Sequence, residues 1–445
     1  MDVDVVVIGM GPGGEEVAGK LAEAGLSVVG VESRLVGGEC PYFGCVPSKM
    51  MIRASDLLAE GRRIPDLAGE STIVPNWARV ATRIRTEATD NWDDKVAADR
   101  FTGKGGLLAR GHGTITAPGE VTVGDKVYRA RRGIVLNVGT EPAVPPIEGL
   151  ADTPYWTNRD AVRAMEVPQS LIVLGGGAIG VELAQVFARF GTEVTVVEAL
   201  DRLMAVEEPE SGALVKKVFE QEGIKVRTGT KAEAISYAGW FSVRTGEETL
   251  TAEQLLVATG RRTNLSSLGL AAVGLDDTAR TVPVDEHMRA APGVWAVGDI
   301  TGEGAFTHVS MYQAAIAVRD ILGEDGPTAD YRALPRVTFT DPEVGAVGLT
   351  EAQATDKGLT VRTGVAQIAS STRGWIHQGE GFIKLVEADG VLVGATSAGP
   401  TGGEVLGALA VAVHGRVPVS SLDQMIFAYP TFHRAIGDAL KDLDA

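Results

Sequence analysis

The stretch that decides the fold lies at the start of the chain, where residues 3–32 read VDVVVIGMGPGGEEVAGKLAEAGLSVVGVE. The apolar run Val3–Ile8 predicts a strand buried on both faces. A glycine-rich turn over residues 9–14 follows, then a helical stretch over Glu15–Ala24 and a second apolar run, Ser27–Val31, that ends at Glu32. Strand, glycine-rich turn, helix, strand and acid in this order are typical of a dinucleotide-binding βαβ unit.

Three glycines of this turn have separate tasks in such a unit. Gly9 permits the tight turn, Gly11 lets the backbone approach a pyrophosphate, and Gly14 allows close packing of helix against strand. Glu32 is placed to bind a pair of ribose hydroxyls.

The same pattern recurs in the middle of the chain. Leu171–Leu174 leads into GGGAIG over residues 175–180, then a helical stretch over Val181–Phe190 and an apolar run, Glu193–Val197, that ends at Glu198. The second set of candidate binding residues is therefore Gly175, Gly177, Gly180 and Glu198. Two such units in one chain predict two dinucleotides, and FAD with a nicotinamide nucleotide is the natural pair.

Composition narrows the class of protein. The chain has 445 residues, enough for two to four domains, and its 44% hydrophobic and 22% charged residues exclude a disordered chain. The net charge of −17 argues against nucleic acid as a partner, because it repels phosphate backbones. The apolar runs are short and interrupted by glycine, and Met1 leads straight into the first strand, so we expect no membrane span and a cytoplasmic location.

The remaining segments predict further elements. We expect a long polar helix over Pro75–Ala98 and strands within Gly113–Val138. From Leu334 the pattern changes to a block without a nucleotide motif, which predicts the following strands and helices: Arg336–Phe339, Phe382–Glu387, Val391–Ser397, Thr401–Val413 and a helix near His433.

The chain contains two cysteines, Cys40 and Cys45, with four residues between them in the sequence CPYFGC. A structural disulfide would be unusual in a reducing compartment, and a metal site would need two more ligands, so we expect no metal. A close pair in a cytosolic chain indicates a redox couple, and two inert buried thiols are the alternative.

Residues 37–49, GGECPYFGCVPSK, complete a set of motifs that resembles a known family. The chain resembles the class I pyridine nucleotide–disulfide oxidoreductases, which include dihydrolipoyl dehydrogenase, glutathione reductase and mercuric reductase. The supporting segments are the two glycine motifs and the following stretches: Cys40–Lys49, Ala258–Arg261, Ala296–Asp299 and Phe339–Val344.

This resemblance implies an α/β protein with two Rossmann-like domains, for FAD and NAD(P), and a C-terminal α+β interface domain. On the sequence the FAD domain would occupy residues 1–147 and 265–333, the NAD(P) domain 148–264 and the interface domain 334–445. The family is homodimeric, so a homodimer is expected.

The resemblance also implies roles for individual residues. Electrons would pass from the nicotinamide through the flavin to a Cys40–Cys45 disulfide, with Cys45 the sulfur nearer the flavin and Cys40 the outer thiol that attacks the acceptor. Lys49 would reach the flavin and pair with Glu182, and Asp299 would accept a hydrogen bond from the ribityl chain. The remaining candidate cofactor-binding residues are Gly113, Thr140, Gly260 and Thr307.

The residues near Glu198 predict the choice of nucleotide. Glu198 would bind the ribose hydroxyls of NAD and repel a 2′-phosphate. Relatives that use NADPH carry arginines at the positions of Ala199 and Ala205, so NADH is favoured over NADPH despite the nearby Arg202.

The C-terminal segment departs from the family pattern. Relatives that reduce disulfides carry His-Pro-Thr and, three residues later, Glu, a proton-relaying dyad; here Tyr429 and Arg434 occupy these positions. His433 is four residues past Tyr429, so on one helix it would share that face and could substitute. Mercuric reductases add a C-terminal cysteine pair, which this chain lacks. Between Cys40 and Cys45, Pro41-Tyr42-Phe43 places two aromatic rings beside the outer sulfur.

The sequence thus predicts a dihydrolipoyl dehydrogenase-like enzyme that reduces a small, unassigned acceptor but lacks the usual dyad. A first alternative is direct reduction of quinones, other small acceptors or metal ions at the flavin. A second, of another class, is a flavin-bound NADH sensor or partner-binding subunit. The intact cysteine pair and Lys49 favour an enzyme, because a binding module has no need for a redox dithiol.

Overall fold

The computed structural model describes residues 1–443; Asp444 and Ala445, the end of the tail that the sequence analysis compared with mercuric reductases, lie outside the described residues. The chain divides into two compact units, each built from three segments. Unit 1 comprises Met1–Ser48, Ala81–Ala143 and Gly260–Asp330, and unit 2 comprises Lys49–Val80, Val144–Thr259 and the chain from Tyr331 onward. Strands and helices are numbered along the chain.

Unit 1 is organised around an eight-stranded sheet. Its strands are β1 (Asp2–Ile8), β2 (Val28–Glu32), β3 (Leu107–Arg110), β4 (Gly113–Ala117), β5 (Glu120–Val123), β6 (Lys126–Leu136), β16 (Arg289–Ala291) and β17 (Val294–Ala296). β1 lies between β2 and β6 and pairs parallel with both, and the main path runs β16-β17-β6-β1-β2-β3. Val5 and Val7 are fully buried, as expected of a central parallel strand whose two faces are covered. A separate pair joins β7 (Glu141–Pro142) to β15 (Arg261–Arg262).

The helices of unit 1 cover this sheet. They are α1 (Pro12–Glu23), α2 (Glu39–Tyr42), α5 (Lys95–Gly103) and α9 (Thr307–Leu322), while α3 (Cys45–Leu67) and α4 (Trp77–Arg83) each span a boundary between the segments of the two units. α1 has Pro12 at its first turn, which supplies no N–H where none is needed. The predicted strand–turn–helix–strand order of residues 3–32 is confirmed.

The single long helix predicted over Pro75–Ala98 is wrong. After α4 the chain forms a π-helical turn over Ile84–Ala88, in which the backbone N–H and the hydroxyl of Thr89 both donate to the carbonyl of Ile84 at 3.0 Å. Residues 90–92 then take positive φ angles of 46°, 57° and 60°, and this left-handed turn ends the helical path before α5 starts at Lys95.

Unit 2 contains a four-stranded parallel sheet with the order β10-β9-β8-β14. Its strands are β8 (Ser170–Leu174), β9 (Glu193–Val197), β10 (Lys225–Arg227) and β14 (Gln254–Val257). An antiparallel sheet follows in sequence, with β11 (Ala234–Tyr237), β12 (Phe241–Thr245) and β13 (Glu248–Ala252), and the helices are α6 (Asn158–Arg163), α7 (Ala178–Arg189) and α8 (Pro209–Gln221). The second βαβ unit, β8-α7-β9, thus lies where the repeated pattern predicts it.

The C-terminal part of unit 2 is a five-stranded antiparallel sheet with the order β18-β19-β22-β21-β20. Its strands are β18 (Pro335–Thr338), β19 (Glu343–Gly348), β20 (Val361–Gln367), β21 (Phe382–Ala388) and β22 (Val391–Gly399), and its helices are α10 (Glu351–Asp356), α11 (Thr372–His377), α12 (Gly402–His414), α13 (Val419–Asp423) and α14 (Arg434–Leu443). Side chains of α12 and α14 pack on this sheet in one hydrophobic core. The predicted change of architecture after Leu334 is confirmed.

Across residues 1–443, no helix combines the length and the apolar character needed to cross a bilayer.

Candidate active site

The first glycine turn packs so tightly against neighbouring backbone atoms that it has no space for side chains at Gly9 and Gly14. A side chain at Gly9 would have its Cβ 2.2 Å from the carbonyl oxygen of Asn137, and one at Gly14 would have it 2.0 Å from the oxygen of Gly9. Gly9 has a φ of 92°, in the region that favours glycine. Gly11 precedes α1 as its N-cap, and no side chain caps this helix. The first turn of α1 can therefore present its N–H groups and its positive dipole end to an anion.

Glu32 turns back onto this loop from the end of β2. Its Oε2 accepts the backbone N–H of Met10 at 2.8 Å, and its Oε1 accepts that of Arg34 at 2.7 Å. Burial raises the pKa of this carboxyl, and the two backbone donors oppose the rise. The contact fixes the acid beside the glycine turn.

The second glycine turn repeats this geometry in unit 2. Gly175 has a φ of 108° and lies against Ala258, and Gly180 lies against the oxygen of Gly175, while an added Cβ at Gly177 meets nothing within 4 Å. Glu198 Oε2 accepts the N–H of Gly176 at 2.6 Å and Oε1 that of Leu200 at 2.7 Å. α7, like α1, has a glycine N-cap and no side-chain cap. Each acid in the two motifs thus bonds its own glycine loop and the N–H two residues further on.

The two cysteines lie together in unit 1. Cys40 is in the short helix α2, and Cys45 is the first residue of α3. The Cys40 side chain is hydrogen-bonded to Cys45, and this bond together with burial raises the pKa of the Cys40 thiol. Thr307, the first residue of α9, places its Oγ1 3.3 Å from Cys45 Sγ. The pair predicted from CPYFGC is therefore assembled with a hydroxyl beside it.

A second group in unit 1 connects Thr140 with Asp299. Thr140 Oγ1 donates to Asp299 Oδ2 at 2.6 Å. Arg261 donates to the side-chain oxygen and to the carbonyl oxygen of Thr140, both at 2.7 Å. Two candidate cofactor-binding residues from distant segments are thus brought together, and an arginine that the sequence analysis gave no role is bonded to one of them.

Lys49 and Glu182 form the predicted ion pair, within unit 2. The Lys49 Nζ lies 2.8 Å from Glu182 Oε2 and 4.6 Å from the centre of the Phe339 ring. Glu182 is 5% exposed, and its other oxygen accepts the N–H of Phe339 at 2.8 Å. Both oxygens of the buried carboxylate are therefore engaged. The N–H of Phe339 fixes the carboxylate, and the carboxylate in turn fixes the Lys49 ammonium by charge.

The C-terminal residues have a different geometry from the one expected. Tyr429 and Pro430 lie in a turn with a cis peptide bond between them, and α14 begins only at Arg434. The expectation that His433 shares a helical face with Tyr429 is wrong, because neither residue is in the helix. Tyr429 is 71% exposed and its hydroxyl lies 2.8 Å from Thr372 Oγ1. Arg434 donates to Asp438 at 3.0 Å.

Two further candidate glycines have simple surroundings. Gly113 is in β4, where its Cα faces the side chains of Ile8 and Val31, so glycine there allows close packing of strands. Gly260 has a φ of 118°, and its carbonyl accepts the N–H of Ala143 at 2.9 Å.

Sequence reasoning missed three features of these sites. They are the contact of Thr307 with Cys45, the bond from Arg261 to Thr140, and the donor that Phe339 offers to Glu182. No local signal could have found them, since each joins segments more than 120 residues apart. Among the residues described, no group of three or more His, Cys, Asp or Glu side chains is arranged to hold a metal ion.

Two family profiles cover most of the chain. Residues 3–318 match the pyridine nucleotide-disulphide oxidoreductase family, and residues 334–440 match the dimerisation domain of that family.

Characterised relatives extend over nearly the whole sequence. A mercuric reductase of Acidithiobacillus ferrooxidans is 33% identical over 453 residues, 97% of this chain and 80% of that protein. A dihydrolipoyl dehydrogenase of Chlorobaculum tepidum is 34% identical over 459 residues, 99% of this chain and 96% of that protein.

Two solved structures share the fold over nearly the whole chain. The HOCl-induced flavoprotein disulfide reductase RclA of Escherichia coli has a TM-score of 0.86 with 25% identity and covers 98% of this chain and 99% of its own. LpdA of Mycobacterium tuberculosis has a TM-score of 0.87 with 26% identity over all of both chains. These matches confirm the family and the fold class that the motifs predict. The chain belongs to the class I pyridine nucleotide–disulfide oxidoreductases and is a flavin-dependent enzyme of that family that works with a pyridine nucleotide.

Proposed function

We propose that this enzyme oxidises NADH and delivers the electron pair, through the dithiol of Cys40 and Cys45, to a small acceptor of the disulfide type. The observation that carries the proposal is the placement of the two cysteines. Cys45 lies at the start of α3 beside the Thr307 hydroxyl, and the pKa of Cys40 is raised. Two thiols that are hydrogen-bonded to each other can alternate between a dithiol and a disulfide.

The residues of unit 1 fit FAD. The turn at Gly9 and Gly14 has no space for side chains, the first turn of α1 is uncapped, and Glu32 is held at the end of β2. We assign the pyrophosphate to this turn, the ribose to Glu32 and the ribityl chain to Asp299. When bound, FAD supplies the two-electron chemistry that connects a nicotinamide to a disulfide.

The two cysteines then have separate tasks. Cys45, with a hydroxyl donor beside it and a helix N-terminus behind it, holds the negative charge of the reduced pair. Cys40, after losing its proton to solvent, attacks one sulfur of a disulfide acceptor, which releases one thiol and leaves a mixed disulfide. Cys45 then attacks Cys40, which releases the second thiol and forms the Cys40–Cys45 disulfide. Lys49 is paired with Glu182 at 2.8 Å, as the resemblance to the family leads us to expect.

We assign the nicotinamide nucleotide to the second glycine turn. The open space at Gly177 and the uncapped start of α7 suit its pyrophosphate, and the carboxylate of Glu198 suits its ribose. A 2′-phosphate would meet this carboxylate, which favours NADH.

A second candidate function is reduction of a quinone or a metal ion at the flavin itself. The observation in its favour is the segment around Tyr429, which offers an exposed phenol and an arginine paired with Asp438 in place of a His-Glu dyad. A phenol is a poorer base at neutral pH than the imidazole of a histidine. Relatives named mercuric reductase, and a solved Cu(II) complex of RclA, make metal ions reasonable acceptors to test.

We further propose a cytoplasmic homodimer. A redox-active pair, rather than a structural staple, suits a reducing compartment. The C-terminal block exposes large apolar side chains that a second copy of the chain would cover: Trp375, Val411, Met425, Ile426 and Tyr429.

The function is tested by anaerobic titration of the FAD-loaded enzyme with NADH. Addition of two electrons should give a long-wavelength absorbance band, because an electron-rich thiolate of Cys45 then lies beside oxidised flavin. Cys45→Ser should lose the band, while Cys40→Ser should keep a thiolate and show a related band without reduction. A wild-type enzyme whose flavin bleaches fully, with two free thiols and no band, would contradict the proposal.

Steady-state NADH oxidation with a panel of acceptors separates the remaining possibilities. Turnover with disulfides that is lost in Cys40→Ser supports the proposed function. Turnover with quinones or metal ions that survives in Cys40→Ser supports the second candidate, and no turnover with any acceptor supports a sensor.

A further inference from the structure

The segment that joins the two cysteines accepts a hydrogen bond from one indole in addition to its own backbone hydrogen bonds. Residues 41–44 connect Cys40 to Cys45, and the carbonyl oxygen of Tyr42, near the centre of this loop, accepts the Trp92 Nε1–H at 3.1 Å. All of these residues are in unit 1. The hydrogen bond restrains the backbone between the two sulfurs from outside the loop.

The segment that supplies this indole has an unfavourable conformation. Asp90, Asn91 and Trp92 have φ angles of 46°, 57° and 60°, and none of the three is glycine. Left-handed backbone at consecutive L-residues costs free energy, so it persists only where the surroundings enforce it. The short segment 90–92 is called the left-handed corner below.

The left-handed corner is fixed from both sides. Before it, the Thr89 hydroxyl donates to Ile84, and the side chain of Arg85 donates to Asn91 Oδ1 at 2.9 Å. After it, the buried carboxylate of Asp94 is paired with Arg110 and accepts the N–H of Val36 at 2.6 Å.

Asp94 therefore restrains the backbone at Val36, just before the cysteine segment, and Trp92 restrains it at Tyr42, within that segment. Val36 precedes Gly37, whose N–H donates to Met10 at 2.7 Å, and Gly38 lies so close to Gly11 that an added Cβ would be 2.8 Å from its Cα. The strained corner and the glycine turn together fix the path of residues 36–44.

We propose that Trp92 is a positioning residue for the Cys40–Cys45 pair and that its hydrogen bond to Tyr42 shifts the dithiol–disulfide equilibrium toward the disulfide. This inference rests on the proposed function, in which the two sulfurs form a disulfide in the catalytic cycle. Closing the disulfide immobilises residues 41–44, and a loop that is already held loses less conformational entropy on closure.

The test is the equilibrium of the FAD-loaded enzyme with mixtures of oxidised and reduced dithiothreitol under anaerobic conditions. In this exchange the thiols of Cys40 and Cys45 lose two electrons and two protons to form one S–S bond, and oxidised dithiothreitol gains them as its two thiols. Acid quenching, alkylation and mass measurement count the free thiols at each ratio.

Trp92→Phe keeps the ring and removes the N–H donor. The hydrogen bond is present while both cysteines are free, so its removal acts only through the extra freedom that it gives the dithiol form. We therefore expect the equilibrium constant for disulfide formation to fall by about threefold. Trp240→Phe is the matched control: Trp240 is half-exposed between β11 and β12, and its replacement should leave the constant unchanged.

A second variant protects the test against loss of folding. Asn91→Gly suits the φ of 57° without strain, so the chain folds, but it loosens the left-handed corner and should lower the constant in the same direction by about twofold. If Trp92 served only to stabilise the fold, its replacement would lower the unfolding temperature and leave the equilibrium constant at the wild-type value.

The outcomes separate the two proposals. A wild-type enzyme whose cysteines form no disulfide at any dithiothreitol ratio would contradict the proposed function itself. A wild-type disulfide with unchanged constants in Trp92→Phe and Asn91→Gly would overturn only the role of Trp92.

Discussion

Glu32 and Glu198, the two acids that we assign to the riboses of the two nucleotides, have the same surroundings. Each carboxylate ends the second strand of its βαβ unit and accepts two backbone N–H groups, one from the glycine turn and one from two residues ahead. The acid thereby fixes the turn and keeps lone pairs for a ribose. The same group that binds a free 2′-hydroxyl repels a phosphate at that position.

Glu198 leads to a prediction about nucleotide preference. At equal concentrations, NADH should reduce the flavin at least about tenfold faster than NADPH, because close juxtaposition of like charges is costly. Rapid mixing with each nucleotide measures the two rates. Ala199→Arg should narrow the ratio by offering the 2′-phosphate a charge-assisted partner.

The matched control for this prediction lies on the same strand. Glu193→Gln removes a charge at the opposite, exposed end of β9, where Glu193 pairs with Lys225, and should leave the ratio unchanged. Equal rates with NADH and NADPH in the wild-type enzyme would contradict the assignment of Glu198.

At the scale of elements, residues 339–341, which follow β18, are held by polar contacts with α7 and with the part of α3 that belongs to unit 2. This row of contacts is called the ladder below. α7 contributes Glu182, Gln185 and Arg189, which lie along one face of the helix. Gln185 exchanges two hydrogen bonds of 2.8 Å with the backbone of Asp341, and Arg189 donates to the Asp341 carboxylate at 2.7 Å. The ladder keeps the N–H of Phe339 on Glu182, and so supports the ion pair with Lys49.

α3 completes this ladder with an acid in an unusual state. Asp56 pairs with the buried Arg189 at 2.7 Å, yet burial raises the pKa of Asp56 from 3.8 to about 6, since desolvation outweighs the attraction of Arg189. The folded protein therefore holds a proton between about pH 4 and pH 6 that the unfolded chain has released. Over this window the contribution of Asp56 to stability falls as the pH rises.

Asp56→Asn should remove this dependence. A shift of about two pKa units corresponds to about 3 kcal/mol, and because a third of the side chain is exposed we expect about 1 kcal/mol. The measurement is the free energy of unfolding by urea at pH 4 and pH 6: from the lower to the higher pH, wild type should lose about 1 kcal/mol relative to the variant. Asp66→Asn, at an exposed position of the same helix, is the control. The role of Asp56 would be contradicted if the difference in unfolding free energy between wild type and Asp56→Asn were the same at both pH values.

At the scale of the whole molecule, we propose that the C-terminal segment around Tyr429 influences which acceptor the enzyme can reduce. If the lost dyad limits the reaction, Tyr429→His combined with Arg434→Glu should raise turnover with dihydrolipoamide, within the range of about 10²- to 10⁴-fold that acid–base catalysis contributes. Flavin reduction by NADH, measured by rapid mixing, should stay unchanged.

His433→Ala in the parent enzyme checks whether His433 has taken over the role of the missing histidine. We expect little effect, because His433 and Tyr429 do not share a helix. Fast dihydrolipoamide turnover in the parent, unaffected by this change, would show that the segment has lost no function.

Assembly gives the second prediction at this scale. Ile426 is 98% exposed in the C-terminal block, and burial of such a side chain is worth about 1.5–3 kcal/mol per copy. Ile426→Asp should therefore raise the dimer dissociation constant at least about tenfold in sedimentation velocity. Val96→Asp, which changes an exposed valine of α5, should leave the dimer intact; a wild-type chain that sediments as a monomer would contradict the proposal.

The sequence by itself determined both nucleotide-binding units, the cysteine pair and the sheet that follows residue 334. These features are local: strand, glycine turn, helix and acid lie within about 30 residues, and the spacing of the glycines fixes the geometry of the turn. The pairing of Lys49 with Glu182 came from the resemblance to the family, because no periodicity connects residues 133 positions apart.

Only the tertiary structure decided what surrounds these motifs. Thr307 meets Cys45 because β17 and α9 return the chain to the start of α3, and Trp92 meets Tyr42 because a left-handed turn interrupts a segment whose composition predicts an uninterrupted helix. The separation of His433 from Tyr429 likewise depends on where α14 begins. Such contacts depend on the path of the backbone between distant segments, and neither composition nor periodicity records that path.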